Sequence, residues 1–197
     1  MKIAGEFKAK QWPRLRKRLG AGDVSAWEEA IVVVRDRLDG RFLKQARQIM
    51  DCPYSAFAVL TIDSAVIETL EQFRRGVPET PSGKSGEFFR EFLTTTRLKR
   101  YFNVERADLF YTTVRCGLLH QGETKLESRV TKKPFVVRRS RAGKGIRVNA
   151  RRFHEELEAT FEEYVSALLK GDRDLRTAFV KKMGYIARSQ PDIAAVV

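Results

Sequence analysis

The chain has little cysteine, little histidine and no long apolar run. Two cysteines, Cys52 and Cys116, cannot build a disulfide framework, so a reducing, cytoplasmic setting is expected. The longest apolar stretches, "AIVVV" and "YSAFAVL", fall far below the ~20 residues of a spanning helix, and no membrane partner is expected. "MKIAGEFKAKQWPRLRKR" has no apolar core of signal-peptide length. Of the two histidines, His120 lies four residues after Cys116, which is half a metal site. A closed zinc centre takes about four ligands and would need Cys52 and His154 as well. The plainer reading makes Cys116 a small buried apolar residue and His154 a surface residue opening the charged face "HEELEATFEE", so no metal or cofactor is expected. "GKS" at 83–85 resembles the end of a phosphate-binding loop, but Pro78 stands where that motif needs glycine and no apolar strand precedes it. No internal repeat or low-complexity tract is evident.

Positive charge is abundant: 38 Lys and Arg against 25 Asp and Glu leave a net charge of +13 over 197 residues. Such a balance favours polyanionic partners, nucleic acid first among them. The surplus is concentrated in two places. Residues 1–22 carry seven cations and one acid, Glu6, and read as a basic arm ahead of a single domain over 23–197. Residues Arg129 to Arg152 hold ten cations and no acid. Within this run Lys132, Lys133, Arg138, Arg139, Arg141, Lys144 and Arg147 are the candidate nucleic-acid contacts. A solvated basic surface is the plain alternative, yet like charges this dense repel one another unless phosphates neutralise them. Phe135 is the one aromatic before Phe153, which favours backbone contact over base stacking.

Apolar periodicity predicts a mostly helical fold. Ser25 and Glu28 form a capping-box pattern before "AWEEAIVVVRDRL", a helix that can continue to Cys52-Pro53. Pro53 suits the first turn of the next helix. There, Ala56, Val59, Leu60, Ile67 and Leu70 share one face, Asp63 falls inside that stripe, and Glu68 shares a face with Thr61 and Ser64 and reads as solvated. "GVPETPSGKSG" is a loop, followed by helices over "EFFREFLTTTRLKRYF" and "VERADLFYTTVRCGLLH". "KKPFVVRRS" and "KGIRVNA" predict a hairpin over about residues 130–149. Asn149 then caps a helix that stops at Gly171, and Leu175, Phe179, Met183 and Ile186 stripe the last one. The expected architecture is an all-α bundle with a small hairpin inserted before its penultimate helix.

One pair of residues stands apart. Arg115 has apolar flanks (Val114, Cys116, Leu118, Leu119), so its guanidinium needs a partner, and Asp63 is an acid needing a cation. Gly117 removes bulk one turn before His120, allowing close approach by backbone or phosphate. A surface pair or a helix cap is the plain alternative. "VRCGLLHQGE", an Arg-x4-His at a helix end, resembles the motif of the HEPN family, small α-helical domains of prokaryotic toxins, CRISPR effectors and other defence systems. From about residue 50 to 170 the order of elements, including the hairpin, is similar to one HEPN-like subgroup.

The resemblance implies a metal-independent, homodimeric endoribonuclease acting on RNA in a toxin or phage-defence setting, with an antitoxin or defence protein as partner. Arg115 and His120 would be its catalytic pair. The position after the arginine, usually polar in the family, is Cys116 here, and a thiol is a weak donor. The rival is a non-catalytic HEPN-like module that binds nucleic acid or a protein. For catalysis, histidine moves the 2′-hydroxyl proton and arginine stabilises the phosphorane. Five residues of straight helix rise about 7.5 Å and turn about 140°, so one helix does not aim both groups at one atom. A groove shared by two subunits would, with Asp63 orienting Arg115. A buried pairing of Asp63 with no part in catalysis is equally open.

Overall fold

In the computed structural model, which describes residues 2–189, the chain is mostly helical with two small sheets. It divides into two compact units. One comprises residues up to Arg41, Gln72–Glu79 and those from Glu163 on; the other comprises Phe42–Glu71 and Thr80–Glu162. The sequence had led to a basic arm over 1–22 and one domain over 23–197, whose last residues lie outside the described ones.

The first unit shows why the arm is no arm. Strands β1 (Lys2–Ala4) and β2 (Phe7–Lys8) pair antiparallel, and helix α1 (Trp12–Gly20) follows with Pro13 in its first turn. Trp12, Leu15 and Leu19 are buried. They recur at helical spacing, and the surrounding cations obscured that stripe. Helix α2 (Val24–Arg35) is capped by Asp23, which accepts from the Ala26 amide at 3.3 Å. The expected Ser25 cap instead donates to Asp23 Oδ1 at 2.8 Å. Phe179 of helix α9 (Arg173–Arg188) centres the core, with the Phe73 ring stacked at 5.8 Å and Trp27 tilted at 5.8 Å. Gly76 has φ +67°, and a Cβ there would sit 2.7 Å from Ala178 Cα, so the close approach requires glycine.

After α2 the helical path continues through a π-helical stretch, Asp36–Leu43, into α3 (Lys44–Ile49). The next helix, α4 (Ser55–Arg75), begins after Pro53 and Tyr54 rather than at Pro53. Tyr54 takes φ +62°, which an α-helix cannot include. Both α4 and the later α8 contribute residues to each unit.

In the second unit, α5 (Ser85–Thr95) stops at Thr96, whose extended backbone and hydroxyl cap a short 3-10 turn, Arg97–Arg100. One continuous helix had been expected there. Helix α6 (Val104–Leu109) then passes through a π-helical turn, Phe110–Arg115, into α7 (Cys116–Gln121), which ends at Gly122 with φ +66°. Strands β4 (Val137–Arg139) and β5 (Ile146–Val148) form the expected hairpin, and β3 (Arg129–Val130) adds a parallel third strand beside β5. Helix α8 (Ala150–Lys170) starts on Asn149, which accepts from the Arg152 amide at 3.1 Å, and stops at Gly171 with φ +94°, both as the sequence indicates. The core here is aromatic: Phe110 stacks on Phe153 at 4.9 Å, with Phe102 edge-on to both.

Candidate active site and basic surface

Arg115 ends the π-helical turn and His120 lies in the last turn of α7. The turn that carries Arg115 is fastened from behind. Thr113 and Ser128, both buried, share a 2.5 Å hydroxyl contact, and the Lys125 amide donates to Thr113 O at 2.7 Å. Ser128 Oγ also accepts from the Ile146 amide, which ties the motif helix to β5. A Cβ on Gly117 would run into the Glu123 carbonyl. The close approach expected at Gly117 is therefore made by the chain's own backbone.

The partner of Arg115 is Glu68, not Asp63. Arg115 Nη2 donates to Glu68 Oε2 at 3.0 Å, and Ser85 donates to Glu68 Oε1 at 2.8 Å. Both side chains of the ion pair are largely shielded, at 18% and 19% exposure. Glu68, read as solvated from the sequence, is thus the residue that fixes the arginine. The guanidinium also lies 5.5 Å from the Tyr111 ring centre and 5.8 Å from that of Phe89. Burial and the neighbouring Cys116 raise the Tyr111 phenol above its ordinary range, and Cys116 itself is half-buried rather than enclosed. Glu68 takes one of the five N–H donors of a guanidinium, and Arg115 makes no other hydrogen bond among the described residues. His120 is exposed, with no hydrogen bond or ion pair to the described residues. Leu119, beside it in sequence, is an exposed large apolar side chain, as is Leu126 in the loop after α7.

Asp63 is fully buried, as its place in the apolar stripe of α4 required, but it faces His154. Asp63 Oδ1 and His154 Nδ1 are 2.7 Å apart, while Asp63 Oδ2 has no hydrogen-bond partner among the described residues. His154 Nε2 lies 3.2 Å from Glu158 Oε1, at ion-pair distance but outside hydrogen-bond geometry, and Glu158 is paired with Arg47. Burial pushes Asp63 up to about 6 against the pull of His154. Burial opposes charge on His154 too, but the two flanking carboxylates prevail and raise it to about 9. His154 is therefore a buried cation, not the surface residue expected. A signal was present: His154, Leu157 and Phe161 recur at helical spacing on the buried side of α8. No group of three or more metal-ligating side chains occurs among the described residues.

The basic run divides between two surfaces. Arg138 and Arg139 line a cleft of about 760 Å³ together with Arg100, Tyr101, Arg106 and Phe135. Lys132 lines another, of about 910 Å³, with Tyr54, Arg151 and Arg152. Lys133, Arg141 and Lys144 are exposed, and Arg147 is half-buried with its guanidinium 5.7 Å from the Phe135 ring centre. Arg139 is engaged within the hairpin, paired with Glu105 and donating to Gly143 O at 2.7 Å. Sequence reasoning missed Arg100 and Arg106, which lie outside the run.

No described helix is long and apolar enough to cross a membrane. Compared with protein-family models, curated proteins and solved structures, the chain matches none of them.

Proposed function

We propose that the protein is a HEPN-like, metal-independent endoribonuclease that acts as a homodimer, with Arg115 and His120 as its catalytic residues. The observation that carries this reading is the contrast between the two side chains. Glu68, Tyr111 and Phe89 hold the arginine with most of its donors unused, while His120 stands exposed five residues on. A fixed guanidinium offers charge to a phosphorane without reorganising, and an unpaired imidazole is available to carry a proton.

In the reaction, the 2′-oxygen attacks the adjacent phosphorus and the P–O5′ bond breaks. The products are a 2′,3′-cyclic phosphate and a 5′-hydroxyl. A His120 in the groove takes the 2′-hydroxyl proton and, as imidazolium, delivers it to the departing O5′. Arg115 holds the non-bridging oxygens. The exposed Leu119, adjacent to His120 in the chain, and Leu126, in the loop after α7, supply apolar surface that a second subunit would cover. The RNA, the reducing compartment and the toxin or phage-defence setting with a protein partner all belong to this proposal.

The test is cleavage of end-labelled RNA in EDTA by wild type, His120→Ala and Arg115→Ala. The reading expects cyclic-phosphate products from wild type and none from either variant; equal cleavage by His120→Ala overturns it. One observation favours the non-catalytic module instead: Glu68 already neutralises Arg115, and the next position is a thiol. That reading expects RNA binding without cleavage from all three proteins.

A further inference from the structure

We propose that the cleft between the segment around Arg100–Arg106 and strand β4 holds the sugar–phosphate backbone of a single RNA strand, gripped by Arg100, Arg106 and Arg138. It rests on the ribonuclease reading only for the identity of the polymer. Its walls are drawn from separate stretches of one compact unit: the end of the 3-10 turn and the start of α6 on one side, β4 and the residues before it on the other. Four arginines line it against one acid, Glu105, and Arg139 already answers that acid. None of Arg100, Arg106 and Arg138 has a carboxylate at ion-pair distance among the described residues. Like charges left unpaired around one cavity repel, and a polyanion in the cavity relieves that repulsion.

Two of the three are already oriented. Arg138 lies over the Phe135 ring, 4.9 Å from its centre, and Arg106 Nη1 donates to the Tyr101 carbonyl. Prior placement reduces the conformational entropy lost when a phosphate is bound. The cleft's volume, about 760 Å³, suits a short segment of one strand. A duplex would be read over a long stretch by its shape and groove-edge hydroxyls rather than inside one cleft. Tyr101 and Phe135 add aromatic lining between the cations, the combination that tracks single strands without reading sequence.

The test uses a fluorescent 12-nucleotide, fully 2′-O-methylated strand, which lacks the free 2′-hydroxyl and cannot be cut, so binding is read apart from catalysis. Anisotropy titrations across a salt series compare wild type, Arg100→Gln/Arg138→Gln, and a control, Lys170→Gln/Lys181→Gln, which removes two exposed cations outside the cleft. The cleft variant is expected to bind at least tenfold more weakly than the control. Its log–log salt slope should fall by about 1.4, the share of two phosphate contacts on a single strand. Phe135→Ala should weaken binding several-fold with the slope unchanged. Affinity equal to wild type in the cleft variant overturns the proposal, as does tighter binding of a duplex of the same length. Cleavage of unmodified RNA, assayed in parallel, separates the two readings. Loss of binding in the cleft variant with an inactive wild type supports the cleft and removes the ribonuclease. Active cleavage with undiminished binding in the cleft variant does the reverse.

Discussion

At the scale of single residues, the side chains that decide the most are acids inside α4 and the cations they hold. Asp63 and Glu158 enclose His154 and keep it protonated in the folded state. Its ordinary value of 6.5 rises to about 9, so the stabilisation is lost as pH climbs through 9, while Asp63, itself raised to about 6, gives up its charge and part of the pairing as pH falls through 6. Lys182 works in the opposite sense: burial lowers it to about 8, where it donates to Gln72 and the Pro78 carbonyl, so its contribution improves with rising pH. Wild type must therefore be compared with His154→Gln, a difference from which Lys182 cancels. Thermal melts should show a gap on the order of 3 kcal/mol near pH 7, where Asp63 is charged, that closes by pH 10; a constant gap would mean that His154 is neutral. Glu68→Gln should leave strand affinity unchanged while kcat for RNA cleavage falls roughly tenfold, since a misaimed guanidinium weakens transition-state contact more than binding. A fall in affinity instead would make Glu68 part of the binding surface. Sequence periodicity placed Asp63 in the core and left it open between orienting Arg115 and a buried pairing apart from catalysis; the structure pairs it with His154. Spacing fixes which face of a helix an acid occupies; it does not say which neighbouring helix brings the positive charge, and α4 carries Asp63, Glu68 and Glu71 within nine residues.

At the scale of elements, local chemistry was legible at several residues that act on their own backbone, though not at Ser25, which yields the cap of α2 to Asp23. Asn149 caps α8, Gly171 stops it, and the glycines before Ile146 turn the β4–β5 hairpin. The breaks were not legible. "VERADLFYTTVRCGLLH" reads as one helix, yet Phe110–Arg115 widens to π geometry, because an extra residue in a turn changes which side chains face inward without changing composition. Such turns concentrate at functional positions, and this one delivers Arg115. Gly117 shows the tension between propensity and packing. On an isolated helix, Gly→Ala stabilises by about 0.5–1 kcal/mol. Here the added methyl meets the Glu123 carbonyl, so Gly117→Ala should destabilise by about 1–3 kcal/mol. The sign of the change in melting temperature discriminates: a more stable variant would show that the 122–128 loop moves away freely.

At the scale of the whole molecule, charge and symmetry govern. A net charge of +13 favours polyanions at a distance, but for the proposed RNA substrate proximity alone would not align a proton carrier and a cation on one phosphate. Arg115 and His120 are five positions apart, and the roughly 140° that five residues of α-helix turn would keep the two from converging within a subunit. In the proposed dimer, a two-fold axis beside α7 would bring both residue types from both copies into one groove, and the exposed Leu119 and Leu126 would give that axis apolar surface to cover. Light scattering should therefore report a dimer, and replacing Leu119 by Glu should shift it to monomer with loss of cleavage. Mixing tests the composite groove directly. Arg115→Ala and His120→Ala homodimers should each be inactive, while dissociating and re-forming them together yields heterodimers whose groove holds one arginine and one histidine. Cleavage returning in the mixture, at a fraction of wild-type kcat, requires that the two subunits contribute to one site. A mixture as inactive as its components, with heterodimer formation verified by mass, would mean that each groove needs both pairs or that no shared groove exists; a third mixture, wild type with the double variant, separates these, since it too supplies one arginine and one histidine, but from a single chain.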